Sequence, residues 1–76
     1  MNHSKRQWLG LAGTYVKKAN EILDRVIGEE QTNYDNAPEG LENSDRYMKM
    51  EEAIDQMTDA QELLEEAADL IEEAAR

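Results

Sequence analysis

Hydrophobic positions in the second half of the chain recur at alternating spacings of three and four residues. No glycine or proline interrupts residues 44–76, and Ala, Glu and Leu, which favour helices, dominate this stretch. The pattern predicts one long helix over residues 44–75 that carries a coiled-coil seam. We call this the first seam, and it consists of Tyr47, Met50, Ile54, Met57, Gln61, Leu64, Ala68, Ile71 and Ala75.

A second apolar stripe lies beside the first seam on the same predicted helix. This second seam consists of Ala60, Leu63, Ala67, Leu70 and Ala74. Two seams on one helix need two helical partners, whereas a hairpin offers each helix only one. We therefore expect another copy of the chain to cover the second seam. The alternative is a monomeric hairpin with a single broad face, half of it exposed.

The first part of the chain also has a helical period, and it predicts an amphipathic helix over residues 4–30 with Ser4 as its N-cap. Leu9, Val16 and Leu23 form a column with a spacing of seven residues. A longer stripe lies beside this column, and we expect its aromatic residues in the core. This first-helix stripe consists of Trp8, Ala12, Tyr15, Ala19, Ile22 and Val26.

Turn-forming residues separate the two periodic segments, over about residues 31–43. Pro38 excludes a helix that continues through this stretch, although its beginning can extend the first helix. Tyr34 and Leu41 are its large apolar residues, and we expect them to cover the end of the hairpin. Ser44 is a good N-cap for the second helix, and Asp45 suits the helix dipole.

These elements predict an all-α fold, an antiparallel two-helix hairpin that forms one domain over residues 1–76. The simplest closed assembly is an antiparallel dimer, which makes a four-helix bundle. Folding at the connection is expected to place Gly10 and Gly13 opposite residues 61–64. Gln61 is the polar residue of the first seam, and a polar residue there can fix register or oligomeric state.

Charge is distributed unevenly along the 76 residues, which have a formal net charge of −10. Residues 1–27 carry five bases and two acids, whereas residues 44–76 carry eleven acids and three bases. This excess of acid argues against direct binding to nucleic acid or to an anionic membrane, both of which attract Lys and Arg. No apolar run reaches the length of a membrane span, and a cytoplasmic location is expected.

Acidic side chains of the second helix fall on the side away from both seams. The candidate acidic face consists of Asp55, Asp59, Glu62, Glu66, Asp69 and Glu73. One interpretation is a solvated helix surface. The other is a binding face for a basic host protein, including mimicry of nucleic acid.

Catalysis and metal binding find little support in the sequence. There is no cysteine, His3 is the one histidine, and Ser4 and Ser44 are explained as helix caps. The acids do not follow a Glu-x-x-His pattern or a calcium-loop pattern. We therefore expect no catalytic residue, no metal site, no cofactor and no enzymatic activity.

The connection and the start of the second helix resemble a family of small acidic proteins. These are encoded by phages, prophages and plasmids of Firmicutes and gut bacteria, and the family has no established activity. The resemblance covers about residues 29–74, and it is carried by Glu29-Glu30-Gln31, Tyr34-Asp35-Asn36-Ala37-Pro38-Glu39-Gly40-Leu41, Ser44 and Met50-Glu51-Glu52-Ala53-Ile54-Asp55. It implies a mobile-element setting, in which small acidic proteins often block host proteins. We thus expect either an accessory protein acting through its acidic face or a self-assembling scaffold acting through its apolar seams.

Overall fold

Two long helices form the described part of the chain, as the sequence pattern predicts. The computed structural model describes residues 1–38, 40 and 44–76. Helix α1 runs over His3–Asp35 and helix α2 over Asp45–Ala74, and the two pack against each other along their length. Gly13 lies beside Ile71, and Tyr34 stacks on Tyr47, so the helices are antiparallel. The hairpin measures 59 × 15 × 12 Å between Cα atoms.

Helix α1 begins earlier and ends later than its sequence pattern indicates. The Asn2 side chain is its N-cap, because Oδ1 accepts a hydrogen bond of 2.8 Å from the Lys5 amide. The prediction that Ser4 is the cap is therefore wrong. The helix continues past residue 30 to Asp35, because residues 31–35, all polar except Tyr34, are compatible with a helix as well as with a loop. At the other end the Asn36 amide donates to the carbonyl of Thr32.

Helix α2 starts as predicted. The Ser44 hydroxyl accepts a hydrogen bond of 3.2 Å from the Tyr47 amide, and Asp45 lies in the first turn. In the connection, Gly40 has a φ of 92°, a conformation that favours glycine because it lacks a Cβ. The predicted covering role of Leu41 lies outside the described residues. Tyr34, the other residue expected to cover the hairpin end, is half-buried.

The first seam forms the contact between the helices, as predicted. All nine of its positions are half-buried. The facing positions of α1 are also half-buried and alternate in spacing by four and three: Leu9, Gly13, Val16, Asn20, Leu23, Ile27, Glu30 and Tyr34. The Leu9 column is therefore the core side of α1, and the prediction that Trp8 and Tyr15 lie in the core is wrong for the hairpin itself. Their exposed fractions are 69% and 67%.

Gln61 ties the helices together in one register. Its Nε2 donates to Asp24 Oδ1 at 2.6 Å and to the Asn20 carbonyl at 3.3 Å. This register also places Gly13 against Ile71, where an added Cβ would lie at an ordinary 3.7 Å from Cγ2. The predicted placement of Gly10 and Gly13 opposite residues 61–64 is wrong, because the extension of α1 moves the fold point of the hairpin.

We predict that Gln61→Glu destabilises the hairpin by about 1.5–3 kcal/mol, the usual contribution of a hydrogen bond to a charged group. A carboxylate at this position would face the Asp24 carboxylate and lose the donor. Like charges raise carboxyl pKa values in the folded state, so the loss is present at neutral pH and shrinks as acid protonates the pair.

Thermal unfolding followed by circular dichroism measures this effect. Gln7→Glu is the matched control, because it makes the same change of side chain and charge at an exposed position on the outer edge of α1. Equal melting temperatures for the two variants would contradict the role assigned to Gln61.

Candidate functional site

The two flanks of the hairpin differ sharply in polarity. Each member of the first-helix stripe precedes a half-buried position of α1 by one residue, and each member of the second seam precedes a position of the first seam by one residue. One step back along a helix turns the side chain by about 100°. Because the helices are antiparallel, both stripes turn to the same flank. We call their combined surface the lateral apolar face.

Large side chains on the lateral apolar face are exposed. Ile22 is 55% exposed, Leu63 67% and Leu70 58%, in addition to the two aromatic residues of α1. Of the alanines in the second seam, Ala60 and Ala67 are half-buried and Ala74 is exposed. The second seam was predicted to face away from its own hairpin. It is one half of an apolar surface whose other half lies on α1. Sequence reasoning missed the α1 half of this surface, although its offset of one residue from the Leu9 column was a visible signal.

Large and small residues alternate in opposite order on the two halves of this face. Gln61 contacts Asn20, and Gly13 contacts Ile71. These contacts show which positions of α1 and α2 lie at the same height along the hairpin axis, and we call such positions level. The level pairs are Trp8 with Ala74, Tyr15 with Ala67, Ile22 with Ala60, Ala12 with Leu70, and Ala19 with Leu63. In these five pairs each large side chain lies beside an alanine, so the face has ridges and hollows.

The acidic face lies on the outer edge of α2 and on the opposite flank. All six side chains, from Asp55 to Glu73, are exposed. The ion pairs of the described residues lie within α1, where Lys18 meets Glu21 at 4.0 Å and Arg25 meets Glu29 at 3.3 Å. Basic residues of α1 therefore leave the carboxylates of the acidic face without a salt bridge.

Residues with potential for catalysis or metal binding do not converge. His3 lies at the exposed start of α1, and Ser44 is engaged as a cap at the opposite end of the hairpin. Within residues 1–38, 40 and 44–76, no three His, Asp or Glu side chains are grouped so that they could hold a metal ion. Neither described helix is both long and apolar enough to cross a membrane.

Two tyrosines pack together at the end of the hairpin where α1 ends and α2 begins. The rings of Tyr34 and Tyr47 stack with centroids 4.2 Å apart and an interplanar angle of 24°. A hydroxyl hydrogen bond to Tyr47, together with partial burial and the nearby Glu51 carboxylate, raises the pKa of Tyr34 to about 12. The fold thus favours the protonated phenol of Tyr34.

Comparison of the chain with protein families, with curated protein sequences and with solved structures yields no match.

We predict that alkaline titration of the protein shows a late tyrosinate phase that Tyr34→Phe lacks. The pKa of Tyr34 is raised from 10.0, so its contribution to stability is complete below pH 10 and is lost as the pH approaches 12. Near-ultraviolet absorbance measures the titration, and Tyr15→Phe, which removes an exposed tyrosine, is the control. A late phase that persists in Tyr34→Phe would refute the assignment.

Proposed function

We propose that this chain is a non-enzymatic interaction protein whose acidic face binds a basic protein. The observation that carries the proposal is that these six exposed carboxylates are not neutralised by the basic residues of α1. A partner rich in Lys and Arg would supply the missing charge. The resemblance described above adds the setting of a phage or mobile-element accessory protein, acting on a host defence protein or a nucleic-acid-binding protein.

Repulsion within α2 supports a role for the acidic face beyond folding. Its acids include like-charged neighbours four residues apart, namely Asp55 with Asp59, Glu62 with Glu66, and Asp69 with Glu73. Each such pair destabilises a helix by about 0.2–0.5 kcal/mol. The charges therefore weaken the helix that carries them, and their benefit lies in solubility or in binding.

A basic nucleic-acid-binding groove is the kind of partner that this face fits best. Helix α2 has 30 residues and extends for about 45 Å at a rise of about 1.5 Å per residue. Duplex DNA presents one charge per about 1.7 Å of its axis, more densely than a single acidic helix. A dimer that brought the two α2 helices side by side would approach that density, whereas a dimer that separates them presents one row of acids from each copy to a basic groove.

Neutralising four of the six carboxylates of the acidic face tests the proposal. The variant combines Glu62→Gln, Glu66→Gln, Asp69→Asn and Glu73→Gln, and it should bind the basic partner about tenfold or more weakly, since exposed ion pairs contribute about 0.2–1 kcal/mol each. The measurement is affinity capture from host lysate, with competition by duplex DNA and helicity checked by circular dichroism.

A matched control neutralises four acids of α1 instead: Glu21→Gln, Glu29→Gln, Glu30→Gln and Asp35→Asn. It has the same net charge as the test variant and leaves the acidic face intact, so it should keep full binding. Equal binding by the two variants would contradict the proposal.

Self-assembly through the lateral apolar face is the second candidate function. It is favoured by the exposure of Trp8, Tyr15, Leu63 and Leu70 on one flank of the hairpin. Scattered exposed leucines are ordinary, but a contiguous apolar patch rimmed by charge is typical of an interaction surface. In this account the bundle is the functional unit, and a scaffold is built from its seams.

We predict that Leu63→Glu combined with Leu70→Glu splits the assembly and leaves a chain of 8.7 kDa. Each carboxylate would be desolvated in the interface without a partner, so association should fail. Sedimentation equilibrium measures the mass. The control, Gln7→Glu with Thr58→Glu, adds the same charge at exposed polar positions and should retain the mass of the wild-type assembly. A wild-type protein that is monomeric would end this candidate.

A further inference from the structure

We propose that a second copy of this chain covers the lateral apolar face, with α1 of each copy lying on α2 of the other. The two hairpins then run in the same direction, with both connections at one end of a four-helix bundle. The inference rests on the self-assembly proposed above and adds the identity and orientation of the partner. It departs from the antiparallel dimer expected from the sequence.

The amount of exposed surface fits a partner of this size. The hairpin exposes 6027 Å². A compact monomer of 8.7 kDa exposes about 4,700 Å² by the usual scaling of surface with mass. The large side chains of the lateral apolar face offer on the order of 700 Å² per copy, close to the about 800 Å² per partner of a standard interface.

Side-chain size selects a pairing of unlike helices. Since large residues of α1 are level with alanines of α2, placing α1 of one copy on α2 of the other at the same level sets Tyr15 over an alanine hollow. Leu63 likewise meets Ala19 of the second copy. A pairing of α1 on α1 would instead bring the two sets of large residues, including Trp8 and Tyr15, onto one helix pair.

Charges along the borders of the face select the same pairing. On α1 the border positions next to Tyr15 and Ile22 hold Lys18 and Arg25. On α2 the border positions next to Leu63 and Leu70 hold Asp59, Glu66 and Glu73. In the proposed assembly, the register puts Lys18 within about half a helical turn of Glu66 of the second copy. Arg25 lies at the corresponding distance from Asp59 of that copy.

Other orientations bring like charges together. A two-fold axis across the helices would lay α2 on α2, with the acids of both copies along one border, and α1 on α1, with both sets of bases along the other. A two-fold axis along the bundle pairs acid with base on both borders. The direction of the axis follows from this difference, and it places both connections at the same end.

This arrangement leaves the opposite flank uncovered. Asp55, Glu62 and Asp69 each follow a first-seam position by one residue and therefore point away from the lateral apolar face. The assembly would present these acids from both copies on its outer surfaces. Asp59, Glu66 and Glu73 border the proposed interface, so binding of a basic protein is tested separately from self-association by neutralising Asp55, Glu62 and Asp69 alone.

Spin-label distances test the orientation directly. The chain has no cysteine, so Asn36→Cys labels the connection end and Ser4→Cys labels the other end, both at exposed positions. In the proposed assembly, double electron–electron resonance should give distances below about 30 Å within the assembly for both variants, since the bundle is only a few helix diameters wide, about 10–12 Å each.

The two ways of failing can be told apart. Distances of about 50 Å at Asn36, approaching the 59 Å length of the hairpin, would overturn the orientation and leave self-assembly standing. The absence of any coupling between labels, together with a mass of 8.7 kDa, would overturn both. Circular dichroism of each labelled variant establishes that the hairpin is intact.

Discussion

The structure depends on one geometric constraint, which is that two helices share a single contact surface. The first seam of α2 and the Leu9 column of α1 use that surface, and even there the residues are only half-buried. The remaining apolar side chains, of which Trp8 and Leu63 are among the most exposed, are not buried within one chain. Small domains commonly gain missing burial through association, and the lateral apolar face is the exposed surface on which we propose it.

The polar contact of Gln61 between the helices sets the alternation of large and small residues on the lateral apolar face. By binding Asp24 and the Asn20 carbonyl, Gln61 fixes how far the helices slide past each other. A shift by one turn would break this contact and move the large residues of α1 away from the alanines of α2. A partly exposed polar contact thus gives both the internal register and the surface that a second copy would fit, while the carboxylates of α2 stay exposed.

Sequence periodicity alone predicted which side of α2 is buried, but it did not predict which side of α1 is buried. In α2 the spacing of the apolar residues within an unbroken run of helix formers identified every first-seam position, including the polar Gln61. The place of Ser44 just before this run identified the cap. In α1 two stripes have the same period, and the stripe with Trp8 and Tyr15 is the larger, so size pointed to the wrong one. Which stripe is buried depends on how α1 is rotated about its own axis, and that rotation depends on where the connection turns. Residues 31–35 did not reveal that point, because they are compatible with both a helix and a loop. The exposure of the acidic residues was predictable, because they fall on the side of α2 away from both seams.

The emission of Trp8 on dilution tests the central claim most directly, since it is the one tryptophan of the chain and is 69% exposed in the hairpin. If a second copy covers the lateral apolar face, the emission is blue-shifted at high protein concentration. It then moves to the value of a solvated indole as dilution separates the copies, while helicity falls little or in parallel. Emission typical of a solvated indole at every concentration, with helicity retained, would contradict the claim.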